Sequence, residues 1–456
     1  MGQLSIILIA GFLCLFAYEI PEPEDIEEIN TIKTLLWSVL LTVGPIVVAY
    51  LFTVLVSGIY KVKKLIADNI FSELGIYRFV VELLCFGAYY INIFIFDLPL
   101  YVHLHLLFFP FFELRQGLAI LPLIISLIGV RLVFHQLNRS SGIRYIELVS
   151  FHLKFLLIPL IPLLIYLTSL DVLVRLPENV LDFLGEHSYL LIGLLVPVLA
   201  GAYIFAPLLM QFMWKTKPLT DVVLREKLEK LTEKSKTKYK DIAVWQTGSL
   251  LIANAAVAGT LHWNRRIFLT DALLQYFTDD QIETIVAHEL GHIRYKHIPT
   301  YVLFSLLYLL SYPLFYSYIE QPVFGLFPQN LIENYPIVTS IGSMIFFILY
   351  FIFGFRYVSR RFEHQADLYA VSLTNKPEVF ISALERLAIF NSIPITVRRI
   401  IEIFNTHPSI HRRVDFVNRF IKDDNLVKRY HGYLLEAKIL VLLLPIFLVI
   451  VLILFL

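Results

Sequence analysis

One pattern in the chain has residue types and spacing suited to hydrolytic chemistry: His288-Glu289-Leu290-Gly291-His292, an H-E-x-x-H match. Two histidines four apart on an α-helix lie on one face, so both imidazoles can reach one zinc ion at about 2.0–2.1 Å. Glu289 sits beside them without being a ligand. Its carboxylate can take a proton from a water on the metal and pass it to a leaving amine. The metzincin pattern for a third ligand fails, because Tyr295 and Ile298 occupy the positions of its Gly and His, and His297 is one place off. A carboxylate on another helix is the other option, and Glu363-His364-Gln365-Ala366-Asp367 offers one. Glu363 and Asp367 share a helical face. Glu363 would complete a His₂Glu site with an open fourth position, and Asp367 could accept the free ring N–H of a ligand histidine. His364 points roughly 100° away around the helix and is the weaker ligand. The bland alternatives are two helix histidines that hold no metal, and acidic groups that merely pair with Arg360 and Arg361 on a solvated face.

The elements that must carry these residues are mostly apolar. Of 456 residues, 58% are hydrophobic and 16% charged, against roughly 25% charged in soluble proteins, and the mean hydropathy is +0.72. That excludes a water-soluble globule. With 38 Lys+Arg against 37 Asp+Glu, no global field steers the chain toward nucleic acid, which is not expected as a partner. Cys14 and Cys85 are the two cysteines, so neither a disulfide framework nor a cysteine-ligated metal is expected.

Windows long enough for a bilayer, about 20 apolar residues each, fall near 4–19, 35–59, 77–100, 117–136, 150–170, 188–213, 299–319, 336–357 and 433–456. Basic and acidic loops alternate between them, so the positive-inside rule puts the N-terminus and segments 214–298 and 358–432 in the cytoplasm. The expected organisation is an N-terminal membrane region 1–213 with six spans, a cytoplasmic α+β segment 214–298, two spans in 299–357, a cytoplasmic helical segment 358–432 and a final span in 433–456. Glu82, His103, His105, Glu113, Arg131, His135 and Lys154 lie in the membrane region and receive no role. Within 214–298, the pattern predicts a helix over Leu219 to Lys236 and strands at Ile242 to Trp245, Leu250 to Ala258 and Arg266 to Leu269. Gly259 and Asn264 are expected in turns, and Asp271 and Asp279 as helix N-caps.

Ala287-His288-Glu289-Leu290-Gly291-His292 with Glu363-x-x-Ala366-Asp367 resembles the M48 zinc metallopeptidases, the family that includes the Ste24-like CAAX prenyl protease and HtpX groups. Asn254-Ala255 with Gly259, Arg266 to Leu274, and Thr406-His407-Pro408-Ser409 with Arg413 resemble further motifs of that family, in the same order. The likeness runs over about residues 205 to 418. It implies one zinc ion held by His288, His292 and Glu363, with Glu289 as general base and His407 assisting at the substrate carbonyl. It further implies a structural hydrogen-bonding role for Asp367, support of the cleft by Arg413, and an edge strand at Asn254 and Ala255 on which substrate can add. His407 also has a physical rationale, since a tetrahedral oxyanion needs a donor beside the metal.

The expectation is thus a polytopic α-helical membrane protein of about nine spans with a cytoplasmic α+β gluzincin-type zinc protease domain. Its activity would be hydrolysis of peptide bonds in membrane-associated or prenylated proteins and peptides, with the lipid bilayer as its surroundings. A general membrane-protein quality-control protease of the HtpX type is the alternative, and a transporter or scaffold with an inert M48 domain a more distant one.

Overall fold

The computed structural model describes residues 31–63, 67–106, 109–137, 145–173, 175–186, 213–259, 261–328, 344–391, 393–403, 405–423 and 429–439, with isolated positions at 7, 11, 14, 15, 18, 342, 443 and 450. Its contacts divide the chain into two units, Met1–Leu209 with Tyr335–Ser340, and Met210–Asn334 with Ile341–Leu456.

The first unit is helical: α1 (Thr31–Lys63), α2 (Ala67–Phe94), α3 (Leu98–His105), α4 (Phe112–Gly117), α5 (Leu121–Leu137), α6 (Tyr145–Leu173) and α7 (Glu178–Glu186). Three stretches, Thr31–Val56, Tyr77–Phe94 and Leu114–His135, are long and apolar enough to cross a membrane by length and composition, and they overlay the second, third and fourth expected spans. Along α1, Leu35, Leu36, Val39, Leu40, Val43, Val47 and Leu51 all face outward. A helix whose outward face is this apolar suits an apolar surrounding. Some of the unit's buried polar groups pair with one another. Arg131 Nη2 lies 2.9 Å from Oε1 of the fully buried Glu82, and Asn92 donates to Ser38 Oγ at 2.9 Å. The expected fifth and seventh spans fall on helical segments. The sixth, and most of the first and ninth, lie outside the described residues, as does the start of the eighth.

The second unit carries the motifs. Its elements are β1 (Thr216–Pro218), α8 (Val222–Lys234), β2 (Asp241–Trp245), β3 (Ala255–Ala258), β4 (Arg266–Thr270), α9 (Asp271–Tyr276), α10 (Asp279–Arg294), α11 (His297–Phe315), α12 (Arg356–Thr374), α13 (Pro377–Phe390), α14 (Arg399–Glu402) and α15 (Ile410–Lys422). The sheet order is β1-β2-β4-β3, with β2 and β4 parallel and the outer pairs antiparallel. All five residues of β4 are buried, as a central strand covered on both faces requires. β3 is an edge, joined to β4 through Gly259 at φ +111°, where an added Cβ would come within 2.6 Å of Arg265 Cα.

Several local expectations shift. The strand expected from Leu250 starts only at Ala255, because Gly248–Leu250 forms a 3₁₀ turn that ends at Leu251 in the left-handed region, φ 44°. The N-caps are Thr270 and Thr278, whose side chains accept from Leu273 and Gln281, so Asp271 and Asp279 are the first residues inside their helices. Threonine and aspartate are both strong N-caps, so adjacent ones leave the choice to tertiary contacts. Asp271 instead takes the Thr247 hydroxyl at 2.6 Å and the Thr247 amide at 3.0 Å. Thr278 and Gln281 complete a capping box that fixes the start of the motif helix.

That helix packs along α12. Where they touch, a Cβ on Gly291 would stand 3.0 Å from Ala366 Cα. Glycine against alanine allows the close approach that brings Glu363 within reach of the two histidines. Behind the contact lies one apolar core, including Leu228, Ile267, Leu269, Leu273, Val286, Leu290, Ala370 and Phe380.

Candidate metal centre

Helix α10 presents His288, Glu289 and His292; α12 presents Glu363 and Asp367 one turn apart; the loop before α15 presents His407, and α15 presents Arg413. His288 Nε2 and His292 Nε2 are 3.2 Å apart. Glu363 Oε2 lies 3.5 Å from the first, and its Oε1 3.5 Å from the second. A tetrahedral ion with bonds of 2.0–2.1 Å needs ligand atoms about 3.3–3.4 Å apart. Each of these separations is close to that spacing, with one Glu363 oxygen toward each histidine, and the donor set fits the ion. Among the described residues they are the group that could hold a metal.

The other ring nitrogen of each histidine is also held. His288 Nδ1 is 2.9 Å from Asp367 Oδ1, and the same oxygen meets Arg413 Nη2 at 2.6 Å while Arg413 Nε donates to Oδ2 at 3.0 Å. Asp367 and Arg413 are buried, so Arg413 is no surface ion pair. Arg360 donates instead to the carbonyls of Glu402, Ile403 and Asn405, and Arg361 to the Tyr357 hydroxyl. His407 Nδ1 approaches Glu363 Oε2 at 2.9 Å, with its side chain 63% exposed. His364 turns away to pack on Phe416, ring centroids 4.3 Å apart.

The electrostatics follow from burial and these neighbours. Burial draws the His288 imidazolium down, but its bonds to Asp367 and Glu363 outweigh this and leave it pushed up to about 9. Burial dominates at His292, which falls to about 4. Against burial, His407 and His288 hold Glu363 well below the usual carboxylate range. Arg413 does the same for Asp367. Burial raises Glu289 above its ordinary value, partly opposed by His288 and by a hydrogen bond from the Val257 backbone.

Asn254 and Ala255 lie at the head of the edge strand. Thr270 N donates to Asn254 O at 3.0 Å, so by the alternation of an antiparallel ladder Ala255 and Val257 turn their backbone groups away from β4. The Asn254 side chain takes the Ala255 amide at 3.0 Å, and the Val257 amide reaches Glu289.

Sequence reasoning missed three residues here. His297 Nδ1 is 2.9 Å from His292 Nδ1, its Nε2 is 2.8 Å from Gln365 Oε1, and Gln365 Nε2 is 2.8 Å from His431 Nδ1. By spacing His297 stands only one position off a ligand pattern, and Gln365 and His431 carry no spacing signal.

Residues 218–421 match the sequence profile of peptidase family M48. The chain is 28% identical over 253 residues to CAAX prenyl protease 1 of Saccharomyces cerevisiae, covering 51% of this chain and 55% of that protein. It is 27% identical over 205 residues to protease HtpX of Haemophilus ducreyi, covering 41% of this chain and 68% of that protein. The crystal structure of S. mikatae Ste24p overlays with a TM-score of 0.49 and 22% identity, over 84% of this chain and 99% of that one. The chain spans about half the length of the CAAX prenyl proteases it matches.

Proposed function

We propose that this chain, which carries a peptidase family M48 domain over residues 218–421, is an integral-membrane zinc metalloendopeptidase acting at the cytoplasmic face of a bacterial cytoplasmic or ER-type membrane. The observation that carries the reading is the convergence of His288, His292 and Glu363 at separations close to those of zinc ligands, with Glu289 between the two histidines in sequence.

Zinc in this site would polarise the scissile carbonyl and acidify a water. The chain's own groups do the rest. Glu289 takes the proton of the attacking water and delivers it to the amide nitrogen as the C–N bond breaks, and its raised proton affinity suits both halves of that shuttle. His407, exposed beside Glu363, donates to the oxyanion, a contribution of a few kcal/mol or so of barrier. Asp367 accepts the His288 Nδ1 proton and keeps Nε2 aimed at the ion, and Arg413 holds Asp367. Substrate adds in extended form beside Ala255 and Val257 through their outward backbone carbonyls.

The substrates in this reading are peptides and proteins that are prenylated or membrane-embedded, as the name of the yeast relative suggests. The match to 68% of an HtpX favours a second reading, general cleavage of membrane proteins without a prenyl requirement. Purified protein tested on matched C-a-a-X peptides, one prenylated and one not, with a zinc chelator control, separates them. Chelator-sensitive cleavage of the prenylated peptide alone supports the first, cleavage of both the second, and cleavage of neither by zinc-loaded protein contradicts both.

A further inference from the structure

We infer that His431 is a positioning residue for the metal ligand His292, acting from the C-terminal helical run through a hydrogen-bond chain of fixed direction. The inference rests on zinc ligation by His292. The run 429–439 lies beyond the family-matched segment, which ends at residue 421.

The direction follows from ligation itself. A neutral imidazole that gives its Nε2 lone pair to a metal carries its proton on Nδ1. His292 Nδ1–H must therefore donate to His297 Nδ1, 2.9 Å away. His297 then carries its own proton on Nε2 and donates to Gln365 Oε1 at 2.8 Å. The Gln365 amide is thereby oriented, with Nε2 donating to His431 Nδ1 at 2.8 Å. His431 is left with Nε2–H, which faces the Tyr295 hydroxyl at 3.0 Å. His297 and Gln365 are buried, so no bulk water can substitute for a missing partner. His297 is also fixed flat against Phe362, ring centroids 4.1 Å apart and planes 4° apart.

Reversing the Gln365 amide would reverse every link. Its NH₂ would face His297, whose proton would move to Nδ1. His292 Nδ1 would become the acceptor, and its remaining proton would sit on Nε2, where the metal should bind. What opposes this reversal is the surroundings of the amide. Lys438 Nζ, 3.5 Å from Oε1, places a cation at the oxygen end, and with the amide so fixed His431 Nδ1 accepts from the nitrogen end. Both come from the C-terminal run, which thus sets the tautomer of a ligand on α10.

The test uses full-length protein in detergent, loaded with zinc, with metal release followed by a chromophoric chelator and cobalt-substituted spectra recorded in parallel. His297→Phe should release zinc about 10–100-fold faster, the range for loss of a ligand's outer partner. His431→Phe, which keeps the ring against Tyr295 but removes the acceptor, should release it about 3–10-fold faster and alter the cobalt bands. His431→Asn, whose carbonyl stands near the lost Nδ1, should restore release to within about twofold. In a Gln365→Leu background, His431→Phe should add nothing further, as members of one chain do not act additively. Should His431→Phe not fold, Lys438→Met takes its place, with faster release expected there too. Wild-type release rates and cobalt bands in His431→Phe, with wild type holding one zinc per chain, would overturn this inference alone. A wild type that takes up no zinc would overturn the metal reading beneath it.

Discussion

Asp367 and Arg413 meet fork to fork in the interior, Nη2 to Oδ1 at 2.6 Å and Nε to Oδ2 at 3.0 Å, and the same Oδ1 is the oxygen that faces His288. One carboxylate thereby serves a stabilising pair and a ligand orientation at once. Arg413→Leu leaves that carboxylate buried without its cation, which should cost about 3–5 kcal/mol. Arg413→Lys should recover only part, because an ammonium cannot span both oxygens. Thermal melts with zinc-retention measurements check this, and a full-stability Arg413→Leu protein would contradict it.

Zinc uptake should expel one proton at pH 7. In the metal-free protein His288 is held protonated up to about 9 and His292 is neutral above about 4, so one imidazolium must be discharged when zinc enters. Apparent zinc affinity should then fall about tenfold per pH unit below 9. The sign for the metal-free fold is the opposite. A histidine raised from 6.5 to about 9 adds stability that is fully present below 6.5 and is lost as pH rises through 9. Calorimetry in buffers of different ionisation enthalpy counts the protons, and a count of zero or two would contradict the assignment.

Helix spacing explains how much of the site could be read from the chain. His288, His292, Glu363 and Asp367 fall into two i, i+4 pairs, a relationship that sequence writes directly. His297 escapes because α10 ends at Arg294 and the chain passes through Lys296 at φ 55° before α11 begins, so spacing counted along one helix no longer applies. His431 meets Gln365 across 66 residues, and nothing local records that contact. The sheet was legible where strands are buried, as at β2 and β4. It is illegible at the edge, where Leu250 to Ala253 are apolar enough for a strand yet turn through Leu251. The three-residue β1 is too short to carry a period.

The close approach of α10 and α12 can be tested by volume. Gly291→Val should force the helices apart, destabilising the protein by about 1–3 kcal/mol and moving Glu363 away from the histidines. Ala366→Gly in the same chain should return part of both stability and zinc content. Normal zinc content in Gly291→Val would show that the contact does not set the geometry.

Val257 offers a test of the edge strand. Its N–H faces Glu289 rather than β4, so Val257→Pro removes a donor to the general base without breaking the ladder. Loss of a bond to the ionised form raises the carboxyl pKa further. The acid limb of kcat/KM should move to higher pH; an unmoved limb would detach Val257 from the base.

The central claim is that Glu289 moves the proton while His288, His292 and Glu363 hold the metal. Glu289→Gln keeps shape and volume but removes the base, so zinc content and peptide cleavage measured on the same preparation separate the two roles. One zinc per chain with cleavage lost is the predicted result. A Glu289→Gln protein that still cleaves, in a chelator-sensitive manner, would contradict the mechanism.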